Sequence, residues 1–125
     1  MKRTDFEKHI KEAYGALPEY PWESQPSYAV FRHKDNKKWF AVTMCISKRK
    51  LGINSDEPID VVNLKCDPIV IGSLRGEQGF YPAYHMSKTH WITAVLDGET
   101  DAEKLKWLLS LSFELTAKKR KSNKA

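Results

Sequence analysis

GFYPAYHMSKTHWITAVLDG, residues 79–98, sets two apolar runs on either side of a short polar turn. FYPAYHM and HWITAVL read as strands, and Ser87-Lys88-Thr89 as the turn that joins them into a hairpin. In the second strand Ile92, Ala94 and Leu96 share one face, while Trp91, Thr93 and Val95 share the other. Pro82 cannot donate to a ladder, so the first strand is expected at an edge, or the proline at a strand start. Asp97-Gly98 breaks the hairpin. Tyr84, His85, Met86, His90 and Trp91 gather around the turn, which raises the question of chemistry against packing.

Outward from the hairpin, further strands and helices follow. SYAVFRH, residues 27–33, and WFAVTMCIS, residues 39–47, read as two strands joined by a turn over HKDNKK. In the second, Phe40, Val42, Met44 and Ile46 are all apolar and are expected to face the core. DVVNLKC, residues 60–66, puts Val62, Leu64 and Cys66 inward and Asn63 and Lys65 outward. One-sided alternation suits an antiparallel sheet with helices on one face. Thr4-Asp5-Phe6-Glu7 is a capping box, and Phe6, Ile10, Ala13, Tyr14 and Leu17 follow at helical spacing until Gly15 and Pro18 end the helix. PEYPWESQP is loop, broken by its prolines. Asp67-Pro68 is a helix start, and IVIGSLRG after it makes a short helix. Thr100-Asp101-Ala102-Glu103 is a second capping box. The last helix carries Leu105, Leu108, Leu109 and Ser112 on one stripe, with Trp107, Leu111 and Leu115 beside it, a face wide enough to be buried on more than one side. The order is α-β-β-β-α-β-β-α: a two-layer α+β fold, an antiparallel five-stranded sheet with helices on one face.

A chain of 125 residues with 41% hydrophobic and 30% charged residues is one ordinary globular domain. No run reaches the ~18 apolar residues of a membrane span, and MKRTDFEKHIKEAYG lacks the apolar centre of a signal peptide. The expectation is a cytoplasmic protein with no membrane partner. Cys45 and Cys66 lie inside strands without metal-motif spacing, and read as reduced, buried thiols. The net charge of +5 is carried by the tail, where Lys118, Lys119, Arg120, Lys121 and Lys124 meet no acid. Residues 1–117 read as one domain and residues 118–125 as a basic, disordered tail.

Three segments carry a resemblance. PWESQPSYAVF with KKWFAV resembles a Pro-Trp loop, a strand and a Lys-x-Phe strand. DVVNLKCDP resembles a third strand that ends in Lys-Cys-Asp/Glu-Pro. GFYPAYHMSKTHWITAVLDG resembles a Pro-x-Tyr-His-Met…His-Trp hairpin. Together they resemble the MmcQ/YjbR family, small bacterial proteins with a CyaY-like (frataxin-like) α/β fold, over residues 4–117. IVIGSLRG departs from the Leu/Glu-rich helix usual there. The resemblance implies DNA binding through a double-wing arrangement of hairpins, and it brings no catalytic residues. Frataxin's acidic iron-binding ridge has no match: the first helix mixes Asp5, Glu7 and Glu12 with Lys8, His9 and Lys11.

The residues themselves offer four candidate sites. Segment 32–50 holds Arg32, Lys34, Lys37, Lys38, Lys48, Arg49 and Lys50 against Asp35 alone, in two loops at the two ends of one strand. With Lys88 at the hairpin tip, Lys37, Lys38, Lys48, Arg49 and Lys50 could contact DNA phosphates; equally, such loops are lysine-rich for solubility. His85 and His90 flank the turn, but a stable metal site wants three or four ligands and only Cys66 and Asp67 remain as donors. Their expected role is to fix the turn through loop backbone, and no metal or cofactor is expected. Ser87 near both histidines lacks a nucleophile elbow, so no catalytic residue is assigned and no enzyme is expected. Trp39 and Trp91 fall on the sheet face opposite the expected helices. With Tyr84 and His85 they make a candidate surface for a protein partner, a small ligand or a homodimer, unless Trp22 or the last helix covers them. Two functions therefore fit: a DNA-binding domain using basic loops and a hairpin tip, or a protein- or ligand-binding module using the sheet face.

Overall fold

In the computed structural model, which describes residues 1–118, helices pack on one face of a five-stranded antiparallel sheet. In chain order the elements are α1 (Arg3–Tyr14), β1 (Ala29–Arg32), β2 (Trp39–Ser47), β3 (Pro58–Lys65), α2 (Pro68–Ser73), β4 (Phe80–Pro82), β5 (Trp91–Val95) and α3 (Ala102–Thr116). A 3-10 turn, Lys48–Leu51, follows β2. The strands lie in the order β1-β2-β3-β5-β4. The α+β fold, the element order and the edge position of the Pro82 strand are as expected. The expected basic tail falls almost wholly on residues 119–125, outside the described part.

Inside β2 the side-chain alternation changes phase. Ala29 pairs with Thr43, Val30 with Val42 and Phe31 with Ala41, but Arg32 pairs with Trp39. Phe40 is the extra residue of a β-bulge. Phe40 and Ala41 consequently both pack toward the helices, with Phe6, Ile10, Leu105, Leu108 and Leu109. Val42, Met44 and Ile46 pack on the other face, with Val30, Val61 and Val95. This corrects the expectation that Phe40, Val42, Met44 and Ile46 share one face, because a bulge resets a period-2 pattern. β3 and β5 hold their phase: Val62, Leu64, Cys66, Ile92, Ala94 and Leu96 all lie on the helix side.

The bulge also interrupts hydrogen bonding, since the β2–β3 ladder stops at the Ala41–Leu64 pair. The next two groups, Phe40 O and Lys65 N, are satisfied by α3 instead. The buried Ser112 hydroxyl donates to Phe40 O at 2.5 Å and accepts from Lys65 N at 2.8 Å. At the C-terminal end of α3, His33 Nε2 donates to Phe113 O (3.0 Å), and Asn36 Nδ2 donates to Thr116 O (2.8 Å). These bonds hold the β1–β2 turn against the helix end.

Neither capping box forms as expected. α1 starts at Arg3 with Lys2 in the cap position, and Lys2 bridges to Asp97. That bridge starts the helix before Thr4, and Glu7 turns to the sheet. Glu7 Oε2 accepts from Arg3 Nε (3.1 Å) and from Thr43 Oγ1 (2.5 Å). α3 is capped by Asp101, which accepts from Glu103 N and Lys104 N, while Thr100 is buried against Gly79. Gly79 has φ +91°, and a Cβ there would come 2.2 Å from Thr100 Oγ1. Only glycine fits this close approach.

Three further expectations are corrected. Trp107 and Leu115 are 48% and 49% exposed, so α3 is buried on one side only. Cys45 is exposed and only Cys66 is buried. β4 ends at Pro82, and residues 83–90 form a loop in place of the rest of the expected first hairpin strand. The loop's side chains make bonds that compete with a ladder, as its geometry below shows.

A candidate ligand cavity on the helix-free face

Helices cover one face of the sheet, yet the bulge leaves Val42, Met44 and Ile46 on the other. Burying that second apolar face falls to loops. Residues 17–28 and 83–90 fold across it and bring Trp22, Tyr28 and Tyr84 onto it. Trp22 stands edge-on to Trp39 with ring centroids 5.4 Å apart, and edge-on to Tyr28 at 6.1 Å. Trp39 is therefore half-buried rather than displayed on an open sheet. Trp91 is half-buried too, with Lys65 Nζ 5.7 Å from its ring centre. Trp22 thus provides the cover considered for Trp39, and the two tryptophans do not form one exposed patch.

The loop over residues 83–90 is anchored by a polar triad that the alternation pattern does not reveal. Asn63 is fully buried on the helix-free face, where its Nδ2 donates to Tyr84 O at 2.8 Å. Asn63 Oδ1 accepts from Thr93 Oγ1, which in turn accepts from Tyr84 N at 3.0 Å. Both backbone groups of Tyr84 are thereby held over mid-sheet, which takes the chain out of the β4–β5 ladder. His85 follows in the left-handed region, φ +58°, with its ring on Tyr84 at 4.0 Å between centroids. His90 holds the far end of the loop through its backbone, accepting from Cys66 N at 2.8 Å. The histidine rings themselves make no hydrogen bond to loop backbone among the described residues, which corrects their expected role.

Between sheet and loops lies a cavity of about 290 Å³. Val42, Met44 and Asn63 form its floor, and Trp22, Tyr28 and Trp39 one wall. Tyr84, His85 and Met86 of the 83–90 loop complete the lining, with Gln25 of the 17–28 loop. No aspartate, glutamate, lysine or arginine lines it. Burial, together with the nearby Tyr84 hydroxyl, pushes the Tyr28 phenol up to about 12, so the Tyr28 hydroxyl keeps its proton at physiological pH. Trp39, Tyr84 and His85, proposed from sequence, meet here, and Trp91 does not. Tyr28 and Gln25 join them, along with Met44, expected in the core, Asn63, expected to face outward, and Met86 of the turn cluster. The signal that could have found them is Asn63, an amide alternating with buried valine and leucine.

The basic residues separate into unlike groups. Lys37 and Lys38 are exposed in the turn before β2, and Lys48, Arg49 and Lys50 follow its other end. At about 3.3 Å per residue, the intervening strand spans roughly 26 Å. Within the second group Lys48 pairs with Glu57 (3.3 Å) and Arg49 with Asp56 (2.7 Å). Arg32 pairs with Glu19 at 2.7 Å. The charge count over residues 32–50 overlooks these carboxylates because they come from outside the segment. Lys50 and Lys88 both line one depression of about 370 Å³.

Other chemistry has less support from the geometry. Among the described residues no three His, Cys, Asp or Glu side chains gather as metal ligands, and no helix is long and apolar enough to cross a membrane. Burial pushes the Cys66 thiol up to about 11. Partial burial and the Asp60 carboxylate raise that of Cys45. Neither is an activated thiolate at neutral pH.

Comparison with known proteins gives relatives of matching length. A family model described as YjbR matches residues 11–115. YyaQ, an uncharacterised protein of Bacillus subtilis, is 43% identical over 116 residues, which is 93% of this chain and 98% of that protein. A crystal structure of a Pseudomonas syringae protein has 48% sequence identity and a TM-score of 0.90, covering 94% of this chain and all of the other. A Deinococcus radiodurans protein structure has 27% identity and a TM-score of 0.71, covering 98% of this chain and 83% of the other.

Proposed function

This chain belongs to the YjbR family, and we propose that it is a non-enzymatic binding module that holds a small planar ligand in the cavity on its helix-free face. The observation that carries this reading is the cavity lining: the rings of Trp22, Tyr28, Trp39 and Tyr84, the apolar Val42, Met44 and Met86, a few hydrogen-bonding groups, and no aspartate, glutamate, lysine or arginine. Small-molecule sites share this composition. A cavity of about 290 Å³ sits at the lower end of the usual ~300–1,000 Å³ range, which suits one ring system. Flat rings stack offset or edge-on against such walls. The exposed His85, Ser87 and His90 and the two raised thiols offer no assembled nucleophile and base, which supports binding without turnover. The test is a titration of the isotope-labelled chain with planar heteroaromatic fragments. The indole NH signals of Trp22 and Trp39 should move first, and shifts confined to other surfaces would overturn the reading.

A second reading, contact with DNA phosphates, draws on one observation. Exposed Lys34, Lys37 and Lys38 lie in the turn that Asn36 and His33 fasten to the end of α3. The sequence there continues Lys118, Lys119, Arg120, Lys121. Under this reading Lys37→Gln with Lys38→Gln lowers duplex affinity and flattens its salt dependence by about one unit of slope per lost phosphate contact. Substituting Lys48 and Arg49, already paired with carboxylates, does so less. Equal effects from both pairs would refute this assignment.

A further inference from the structure

We propose that the ligand of the aromatic cavity is a planar ring carrying an anionic group, of mononucleotide size, with its anion held by Lys50 and Lys88. The inference rests on the cavity being a ligand site and adds the ligand's second half. Tyr84 and His85 carry the connection. They line the aromatic cavity and also the neighbouring depression of about 370 Å³ that contains Lys50 and Lys88. No carboxylate lines that depression. Neither lysine forms an ion pair among the described residues, although Lys48 and Arg49, just before Lys50, both do.

Two ammonium groups on one concave surface repel each other, and a bound anion removes that repulsion. An uncharged ring alone would leave the lysines unused, and a free phosphate would leave the aromatic cavity empty. A molecule aromatic at one end and anionic at the other uses both. The residue at the shared wall, His85, is a non-glycine held at φ +58°. Such backbone conformations gather at ligand clamps.

The experiment is calorimetric titration of the full chain with nucleoside 5′-monophosphates, the matching nucleosides and ribose 5-phosphate, at low and high salt. The expected result is that a monophosphate binds roughly tenfold more tightly than its nucleoside at low salt. That advantage disappears at high salt and in the Lys50→Gln/Lys88→Gln protein, and ribose 5-phosphate binds negligibly. Both substitutions are at exposed positions, so folding is not at stake. Equal affinity for nucleoside and monophosphate overturns the inference while leaving the cavity reading intact. So does absence of nucleotide binding when uncharged fragments still move the Trp22 and Trp39 signals. Monophosphate binding that survives the double substitution, or that ribose 5-phosphate matches, assigns the anion to other cations and equally overturns it. If no fragment or nucleotide reaches the cavity, both readings fall.

Discussion

Replacing Ser112 by alanine should be among the most damaging single-atom deletions in this chain. Its hydroxyl is fully buried and joins α3 to two strands, donating to Phe40 O and accepting from Lys65 N. Those backbone groups depend on it because the bulge at Phe40 ends the β2–β3 ladder one pair earlier. The deletion strands one buried acceptor and one partly buried donor, at about 1–3 kcal/mol each. Alanine's better helix propensity returns about 0.5 kcal/mol. The net expectation is about 1.5–5.5 kcal/mol, or a fall in Tm of roughly 5–20 °C for a domain of this size. Urea unfolding followed by tryptophan fluorescence measures the first, and calorimetry the second. Ser110→Ala on the same helix is the control, because its hydroxyl only donates back to Trp107 O; it should shift stability by less than about 0.5 kcal/mol. Hydrogen exchange gives a separate readout, with the Lys65 amide protected in the parent and fast in Ser112→Ala. Similar stabilities for the two variants, or an unchanged Lys65 amide, would refute the claim that α3 completes the interrupted ladder.

Four other outcomes follow from the geometry. Asn63→Leu removes the amide that holds Tyr84 O and leaves Thr93 Oγ1 without its acceptor; it should cost about 2 kcal/mol and broaden the NMR signals of residues 83–90, whereas sharp, unmoved signals would count against the anchor. Gly79→Ala puts a methyl group 2.2 Å from Thr100 Oγ1 at φ +91°, so it should destabilise by about 2 kcal/mol or more, with partial recovery by Thr100→Ala in chemical denaturation. The Tyr28 phenol, raised by burial and then by Tyr84 from 10.0 to about 12, binds its proton more tightly folded than unfolded; its stabilising contribution is complete below pH 10 and is lost as the pH climbs toward 12, and Tyr84→Phe should bring the Tyr28 phenolate absorbance transition to lower pH. Val42→Ile adds a methyl group to the cavity floor and should raise stability slightly while weakening any ligand of the cavity, a combination that denaturation and titration together would detect.

Most of the fold is legible in the chain because most of its strands keep one phase. Val62-Leu64-Cys66 and Ile92-Ala94-Leu96 alternate cleanly, and the structure places both rows under the helices. β2 misleads because every even position is apolar, so nothing in its own residues marks where the bulge falls; the pairing with β1 decides that. The two capping boxes mislead for a related reason. Thr4 and Thr100 have the right spacing, but Lys2 is drawn to Asp97 and Thr100 is packed on Gly79, so tertiary contacts choose other caps. The sequence shows the aromatic residues of the cavity one by one, but their convergence depends on loops crossing the sheet, and loop paths leave no periodicity to read.

The bulge and the cavity belong to one chain of cause. Had β2 kept its phase, Val42, Met44 and Ile46 would have joined Phe40 under the helices, and the other face could have been left polar and bare, as many antiparallel sheets are. With the phase reset, the sheet has two apolar faces and a single helix layer. The second face must then be closed by loop residues, and this chain closes it with large rings: Trp22, Tyr28 and Tyr84. Helices tile a sheet with short branched side chains that interdigitate to native packing density. Rings carried on loops close this face, Trp22 meeting both Trp39 and Tyr28 edge-on, and a cavity of about 290 Å³ is left beneath them. If the roof served burial alone, aliphatic side chains would fill that space better, and the buried amide of Asn63 would be an unneeded desolvation cost. The amide is instead used to fix Tyr84 at the cavity wall, with His85 in a left-handed conformation beside it. A polar anchor and a strained neighbour at the edge of an otherwise apolar roof favour a wall shaped to receive a ligand over one shaped only to exclude water.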